Sequence, residues 1–392
     1  MRDVFIVSTA RTPVGRRNGY LREWKSPELL ATVLNEVVGR VDLDPNLVED
    51  VITGCVYQVG EQGFILPRLG IFASKLPDRV PGISVNRQCG SSLSAIQLAY
   101  GMIASNVMDV VIASGCEMMS KFPIGSDIDG VLPDGRPQGN PFGPYYVERV
   151  KGKIYNQAQA AQAIAANWGV TKQQCDELAV ASHKKAHHAT VNGYFKNEIL
   201  PTKGLDADGK EIVMDKDETI RAETSLEKLA TLKPVLGTEW ITAGISSPVT
   251  DGASAVLLMS GDKMKQLKLK PLARIVANAV VGSDPILMLT GPLEVTPMVL
   301  KKAGLKIDQI DIFEVNEAFA PIPLAWVKEM KAPIEKLNVN GGAMALGHPV
   351  GNSGCRLSVT AIHELIRRKA RYALVTLCTG GAMAPATIFE RA

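Results

Sequence analysis

Several absences narrow what this 392-residue chain can do. Its net charge is only +3 and no run of lysine and arginine interrupts the mixture, so a phosphate-backbone groove and a nucleic-acid partner are not expected. No window approaches the roughly 18 consecutive apolar residues of a membrane-spanning helix, so no membrane partner is expected either. The opening MRDVFIVSTARTP enters a strand-like pattern almost at once and has neither the apolar core nor the small-residue cleavage site of a secretory signal. The six cysteines, at 55, 89, 116, 175, 355 and 378, form no CxxC pair and read as reduced thiols of a cytoplasmic protein, not as a disulfide framework. Histidines number five, and three of them, His183, His187 and His188, share one helical stretch. No other ligand cluster accompanies them, so a solvated helix face is expected there and not a metal site.

What is present is an ordinary globular composition, 46% hydrophobic and 21% charged, with chain enough for two or three domains. Short apolar runs (VFIVST, DVITGC, DVVIAS, ARIVANAVV, IDIFEV, YALVTL) alternate with helical patterns (ELLATVLNEVV, SSLSAIQLAYGMIAS, VTPMVLKKAG, RLSVTAIHELIRR). This alternation predicts an α/β fold with buried sheets.

The two ends of the chain resemble each other. Ser92 to Cys116 reads helix, turn, strand, cysteine, and so does Gly354 to Cys378; both pairs of positions are 262 residues apart. Upstream, DVITGC at Asp50 and DIFEVN at Asp311 are offset by 261. A duplicated α/β unit accounts for this. The first half would hold 1–118 plus 250–268, the second 269–392, and 119–249 would be an insertion in the first half. The insertion, with its PDGRPQGNPFGP stretch, is either a substrate-binding lid or a structural or oligomerisation arm.

Four places could carry chemistry. Cys89, in NRQCGSSLSAIQ, follows a short strand and precedes a helix, where helical amides and the helix dipole would favour thiolate; Gly90 beside it would allow a tight turn. The alternative is a small buried residue near a helix cap. His348, in the glycine-rich NGGAMALGHPVGNSG, is a base for a thiol or a hydrogen-bonded loop histidine. Cys378, in CTGG, has glycines that expose amides able to stabilise an oxyanion, whereas its repeat partner Cys116 lacks them. Asn316 ends an apolar strand in EVNEAFA, either as an N-cap of a following helix or as a polar group at a strand's C-terminal end. Two thiols, an imidazole and an amide at strand-to-helix loops suit acyl transfer through cysteine.

The set QCGSS, NEAFA, NGGAMALGHPVG and CTGG, in this order over essentially the whole chain, resembles the thiolase family. The resemblance implies a layered α-β-α-β-α arrangement of two duplicated halves with an inserted loop domain. It implies reversible CoA-dependent cleavage of a 3-ketoacyl-CoA to acetyl-CoA and a shortened acyl-CoA. Cys89 would be the nucleophile, His348 its activator, and Asn316 would position a water in a first oxyanion hole. Cys378 would be the acid/base at the α-carbon, and the amides of Cys89 and Gly380 a second oxyanion hole. DETIRAETSLEKLATLKPV resembles the coenzyme A-binding segment, with Arg221 near the nucleotide; an ion pair with an acidic neighbour is the alternative for Arg221. ITAGISSPVTDGA resembles the loop bordering the pantetheine, with Ala243, Gly244 and Ser247. Acyl-CoA is then a substrate, with no tightly bound cofactor and no metal, and the chain forms a homodimer or a dimer of dimers.

Two departures from acetoacetyl-CoA thiolases stand out. Where those carry a His-Met-Gly stretch, this chain has Asn156 and Gln157; after TAG it has Ile245 in place of the usual asparagine. The first change is expected to alter the wall of the acyl pocket and to suit longer or bulkier 3-ketoacyl groups. A biosynthetic acetyl-CoA acetyltransferase is the alternative, and a non-catalytic CoA-binding relative a further one.

Overall fold

The structure is a computed structural model that describes residues 2–128 and 130–392. Twelve strands are present among them. They are β1 (Val4–Arg11), β2 (Gly15–Arg16), β3 (Asp50–Gly54), β4 (Gly82–Val85), β5 (Val110–Met118), β6 (Thr202–Leu205), β7 (Glu211–Met214), β8 (Thr250–Ser260), β9 (Ala273–Gly282), β10 (Ile312–Val315), β11 (Tyr372–Thr376) and β12 (Met383–Arg391). The predicted apolar runs supply six of them; on β1, β3, β5, β10 and β11 the β-branched residues are buried on both faces, as strands covered by helices on each side must be, whereas β9 leaves Val280 exposed.

The main sheet runs β10-β11-β12-β9-β1-β8-β5-β3-β4, with β2 beside β8. Read outward from the β1–β9 junction, the two wings repeat one order: β1, β8, β5, β3 on one side and β9, β12, β11, β10 on the other. The parallel pair falls at the same place in each wing, β3 with β5 and β10 with β11. β1 and β9 pair in register at Phe5–Arg274 and Ile6–Ala273.

Side-chain alternation turns these wings into layers. On β5, Val111 and Ala113 face a central core, whereas Val110, Ile112, Cys116 and Met118 face an outer one. The central core contains the helices Ser91–Ala104 and Ser353–Arg368, packed on each other and against strands of both wings. Outside the first wing lies the helix Ser26–Gly39; outside the second lie Gly291–Ala303 and Pro321–Met330. The order is therefore α-β-α-β-α. Both central helices begin at the same place, for Ser92 Oγ accepts from the Cys355 amide at 2.9 Å. The residues just before the two helices are Cys89 and His348, which is how two distant loops come to share one site.

Between Met119 and Val249 the chain forms helices Gln157–Asn167 and Lys172–Val191, shorter turns, and the hairpin β6–β7. Asn156 caps the first of these helices, in a capping box with Gln159. The stretch NEAFA differs from the N-cap alternative. The next helix starts at Pro321, and Asn316 lies in irregular chain, its amide donating to the Thr376 carbonyl at 3.1 Å. No helix among the described residues is long and apolar enough to cross a membrane.

Candidate active site

Cys89 sits where the chain passes from β4 into the helix Ser91–Ala104. Gln88, directly before it, takes the left-handed conformation with φ 48°, an uncommon state for a residue with a side chain. Gly90 does not supply the turn, since its φ is −88°. A Cβ there would lie 2.7 Å from Pro385 Cγ, so the glycine is needed for the close approach of the last strand. That approach brings CTGG against the thiol. The amides of Gly380 and of Cys89 itself face the Cys89 sulfur.

The expectation of a thiolate at the helix start is overturned. Cys89 is only 5% exposed, and burial pushes its thiol up to about 11 against the pull of those two amides. Cys378 is buried beside it and is pushed well above the ordinary thiol range by burial and then by Cys89. Two protonated thiols face each other, and a base is needed to activate either.

His348 is the imidazole at hand. Its backbone amide donates to Thr250 Oγ1 at 2.9 Å. Its Nδ1 lies 2.6 Å from Ser353 Oγ, and that hydroxyl already donates to the Pro349 carbonyl at 2.8 Å. Nδ1 must therefore carry the proton and donate it to Ser353, which leaves the lone pair on Nε2. Asn316 Nδ2 donates to Nε2 over 3.3 Å, and Asn316 Oδ1 is buried without a protein partner. Burial first, and the charge of Arg356 second, push His348 down to about 3, so the ring is neutral and able to accept a proton. Among the described residues the thiol and the imidazole share no hydrogen bond; such contacts commonly close only around substrate.

The neighbouring Glu317 works as a brace. It accepts from Ser182 Oγ at 2.7 Å, Asn338 Nδ2 at 2.8 Å and the Met344 amide at 3.2 Å, joining NEAFA, NGGAM and the helix Lys172–Val191.

A cavity of about 600 Å³ opens onto this group. His348, Val350 and Met119 line it, and Cys89 packs against Val350 and Met119 in a small apolar cluster. Ala243, Gly244, Ser247 and Arg221 line the same cavity. Cys89, Cys378, Asn316 and Gly380 lie behind that lining. Arg221 is exposed and, among the described residues, makes no ion pair within 4 Å. Lys228 is a second cation on the lining.

Two readings need correction. His183 is not on a solvated face: it is 6% exposed, lines the cavity, and its Nδ1 accepts from the Arg221 amide at 3.1 Å. Burial and then Arg221 push it down to about 4. The signal was in the sequence, because Ala179, Ser182, His183 and Ala186 form one buried stripe at helical spacing. Asn156 is an exposed cap rather than pocket wall, and only Gln157 lines the cavity. Ile245 is fully buried in the core and does not reach the cavity lining.

Family models decide the lineage. The N-terminal thiolase domain matches residues 4–262 and the C-terminal thiolase domain matches residues 269–391. The chain belongs to the thiolase family. As a thiolase it is an acyltransferase. It is 40% identical over 400 residues to a 3-ketoacyl-CoA thiolase of Idiomarina loihiensis, covering all of both chains. Among solved structures it resembles the human mitochondrial 3-ketoacyl-CoA thiolase, at TM-score 0.91 and 34% identity, covering 100% of this chain and 99% of that one. It also resembles the acetyl-CoA acetyltransferase of Bacillus anthracis, at TM-score 0.90 and 35% identity with the same coverage.

Proposed function

We propose that this thiolase cleaves 3-ketoacyl-CoAs with free coenzyme A, through an acyl-enzyme on Cys89, and takes acyl groups longer or bulkier than acetoacetyl. The observation that carries the reading is the pair of amides, Gly380 and Cys89, aimed at a buried thiol that has a second buried thiol beside it.

The steps follow from these groups. Neutral His348 Nε2 takes the proton from Cys89, and the sulfur attacks the 3-keto carbon. Charge gathers on the keto oxygen, on the carbon now bonded to Cys89, where the amides of Cys89 and Gly380 can hold it. The bond between C2 and C3 breaks, leaving an enolate of acetyl-CoA whose thioester oxygen is held by His348, now bearing a proton on Nε2, and by a water on Asn316. Cys378 gives its proton to the α-carbon, and acetyl-CoA departs. The Cys378 thiolate then takes the proton of an incoming CoA thiol. That sulfur attacks the Cys89 thioester, and Cys89 leaves as a thiol with the proton held on His348. Burial of the whole group keeps water from the thioester and from the carbanion.

Coenzyme A enters as a substrate through the cavity. Arg221 and Lys228 offer positive charge to its phosphates, and Ala243, Gly244 and Ser247 border its pantetheine arm. The wider acyl preference rests on Gln157 at the wall and on the volume of the cavity. The chain works as a homo-oligomer: edge strand β4 exposes Ile83, and Phe64, Phe72 and Leu98 are exposed as well.

The test is thiolysis of 3-ketoacyl-CoAs from four carbons upward, with a Cys89→Ala control. Rates rising with chain length or bulk, lost in the control, support the reading. Activity confined to acetoacetyl-CoA would transfer it to the biosynthetic alternative, which the likeness to an acetyl-CoA acetyltransferase favours.

A further inference from the structure

Part of the cavity wall is a small loop whose tip is strained. Pro234 and Thr242 pair across its base, and the Val235 amide donates to the Ile241 carbonyl at 2.8 Å. At the tip the Thr238 amide returns to the Val235 carbonyl at 3.1 Å. The two residues between them, Leu236 and Gly237, are both left-handed, with φ 53° and 69°. Two such residues in succession match a type I′ turn, which Asn-Gly fills readily and a leucine resists. Packing does not explain the leucine. Leu236 lines the cavity yet is 62% exposed, so it gives the core little. A bulky apolar side chain kept at an unfavourable backbone angle points to a task in the cavity.

One side chain from outside the loop holds this turn. Asn156 caps the helix Gln157–Asn167, and its Oδ1 accepts from the Gln159 amide at 3.0 Å. That bond fixes which end of the carboxamide is oxygen. Nδ2 therefore faces the turn, and it donates to the Leu236 carbonyl at 2.9 Å. Further along the same helix, Gln162 Oε1 accepts from the Glu239 amide at 2.7 Å. The residue after Asn156 shows where this wall stands. Gln157 lines the cavity, and its Nε2 lies 3.4 Å from where a Cβ on Gly380 would be. In the proposed reaction the Gly380 amide holds the oxygen on C3. The wall that carries Gln157 and the turn thus begins beside C3, where the acyl chain departs.

We propose that Leu236 is a specificity-determining residue for the acyl group, and that Asn156 is the positioning residue that holds it in place. This rests on the reading of the chain as a 3-ketoacyl-CoA thiolase and deepens it. Apolar acyl groups that extend well past C4 gain a contact with Leu236, and acetoacetyl is too short to reach it. Asn156 acts through the turn, although its own side chain is exposed.

The experiment compares kcat/KM for 3-ketoacyl-CoAs of four and ten carbons in the full-length enzyme and three variants. Leu236→Asn suits the turn and removes the apolar contact. Its Tm should rise by about 1–3 °C, while the preference for ten carbons over four falls about tenfold. Asn156→Asp still accepts from the Gln159 amide and keeps the cap, but has no donor for the Leu236 carbonyl. Its Tm should stay close to that of the wild type, with the preference lowered about threefold. Leu236→Met should keep the wild-type preference. Equal losses on both substrates in Leu236→Asn would overturn the proposal and assign Leu236 to the pantetheine arm. A lower Tm in that variant would also overturn it, by making the leucine structural. An unchanged preference in Asn156→Asp would remove the role of Asn156. Calorimetry with butanoyl-CoA and decanoyl-CoA reads the same preference without turnover, and the same falls are expected there. A wild type that cleaves no 3-ketoacyl-CoA would sink the functional reading and leave this one to stand on the binding ratio.

Discussion

Cys116 and Cys378 occupy the same position in the two wings, yet they do different things. Cys116 lies inside β5, in register with Ala253 of β8, and its sulfur rests 3.6 Å from the Ser26 carbonyl in the outer core. In the other wing the ladder between β11 and β12 ends at Thr376–Ala386. Its counterpart in β5 is Ser114, where pairing continues for four more residues to Met118–Asp251. Cys378 falls two residues beyond the end of pairing. There the Thr379 amide turns back onto the Met383 carbonyl at 3.0 Å, and Gly381 takes φ 75°. The turn swings the thiol out of the sheet and toward Cys89. Where the ladder stops decides whether the cysteine packs in the outer core or is turned toward Cys89.

Cys378→Ala tests this contrast most strongly. It should lower thiolysis of a 3-ketoacyl-CoA by about 10³-fold or more, while mass spectrometry still finds acetyl on Cys89 after incubation with acetyl-CoA. Full thiolysis by this variant would erase the functional difference between the two cysteines. Ser353→Ala comes next. Without the hydroxyl that fixes Nδ1–H, kcat should fall about 10–100-fold with KM little changed; an unaltered kcat would show that the tautomer is held by other contacts.

Acid sensitivity should also divide the molecule unevenly, because no histidine lies before residue 183. His363 is partly buried with Thr9 Oγ1 2.9 Å from its Nε2, and desolvation pushes it down to about 4, against about 6.5 in an unfolded chain. The unfolded state thus binds more protons between these values, and stability is lost as pH falls from 6.5 to 4, by up to about 3 kcal/mol from this residue. His363→Asn should flatten the decline of Tm over that range, and an unchanged slope would place the acid sensitivity elsewhere. The smallest effect belongs to Cys116→Ala. It should keep activity within about twofold and cost about 1–2 kcal/mol in denaturant unfolding. A large loss of turnover there would mean that both cysteines serve the reaction.

Much of this was legible from local pattern. Strand, glycine and cysteine in YALVTLCTGG, and the offset shared with DVVIASGC, pointed to the repeat and to both wings. Cys89, His348 and Asn316 were found because each sits at a loop where packing has no use for its chemistry. What escaped depends on contacts between distant segments. The need for Gly90 comes from Pro385, nearly 300 residues on. His183 was read as solvated because no other ligand cluster accompanies it, though it faces the stripe its own helix buries. Arg356 sits in a helix whose start is buried all round, and nothing in RLSVTAIHELIRR marks its first arginine as different from its last two.

The burial of Cys89 also governs its exposure to foreign chemicals. A thiol held at about 11 is ionised to only about one part in 10⁴ at pH 7. Small alkylating agents and peroxide should therefore react slowly with Cys89 in the empty enzyme, even with Cys89 in the proposed nucleophile role. An electrophile carried on a coenzyme A or pantetheine stem would enter by the cavity and present itself to His348 and the thiol together. Selective covalent inhibition should then come from the delivery group, and the warhead can be mild.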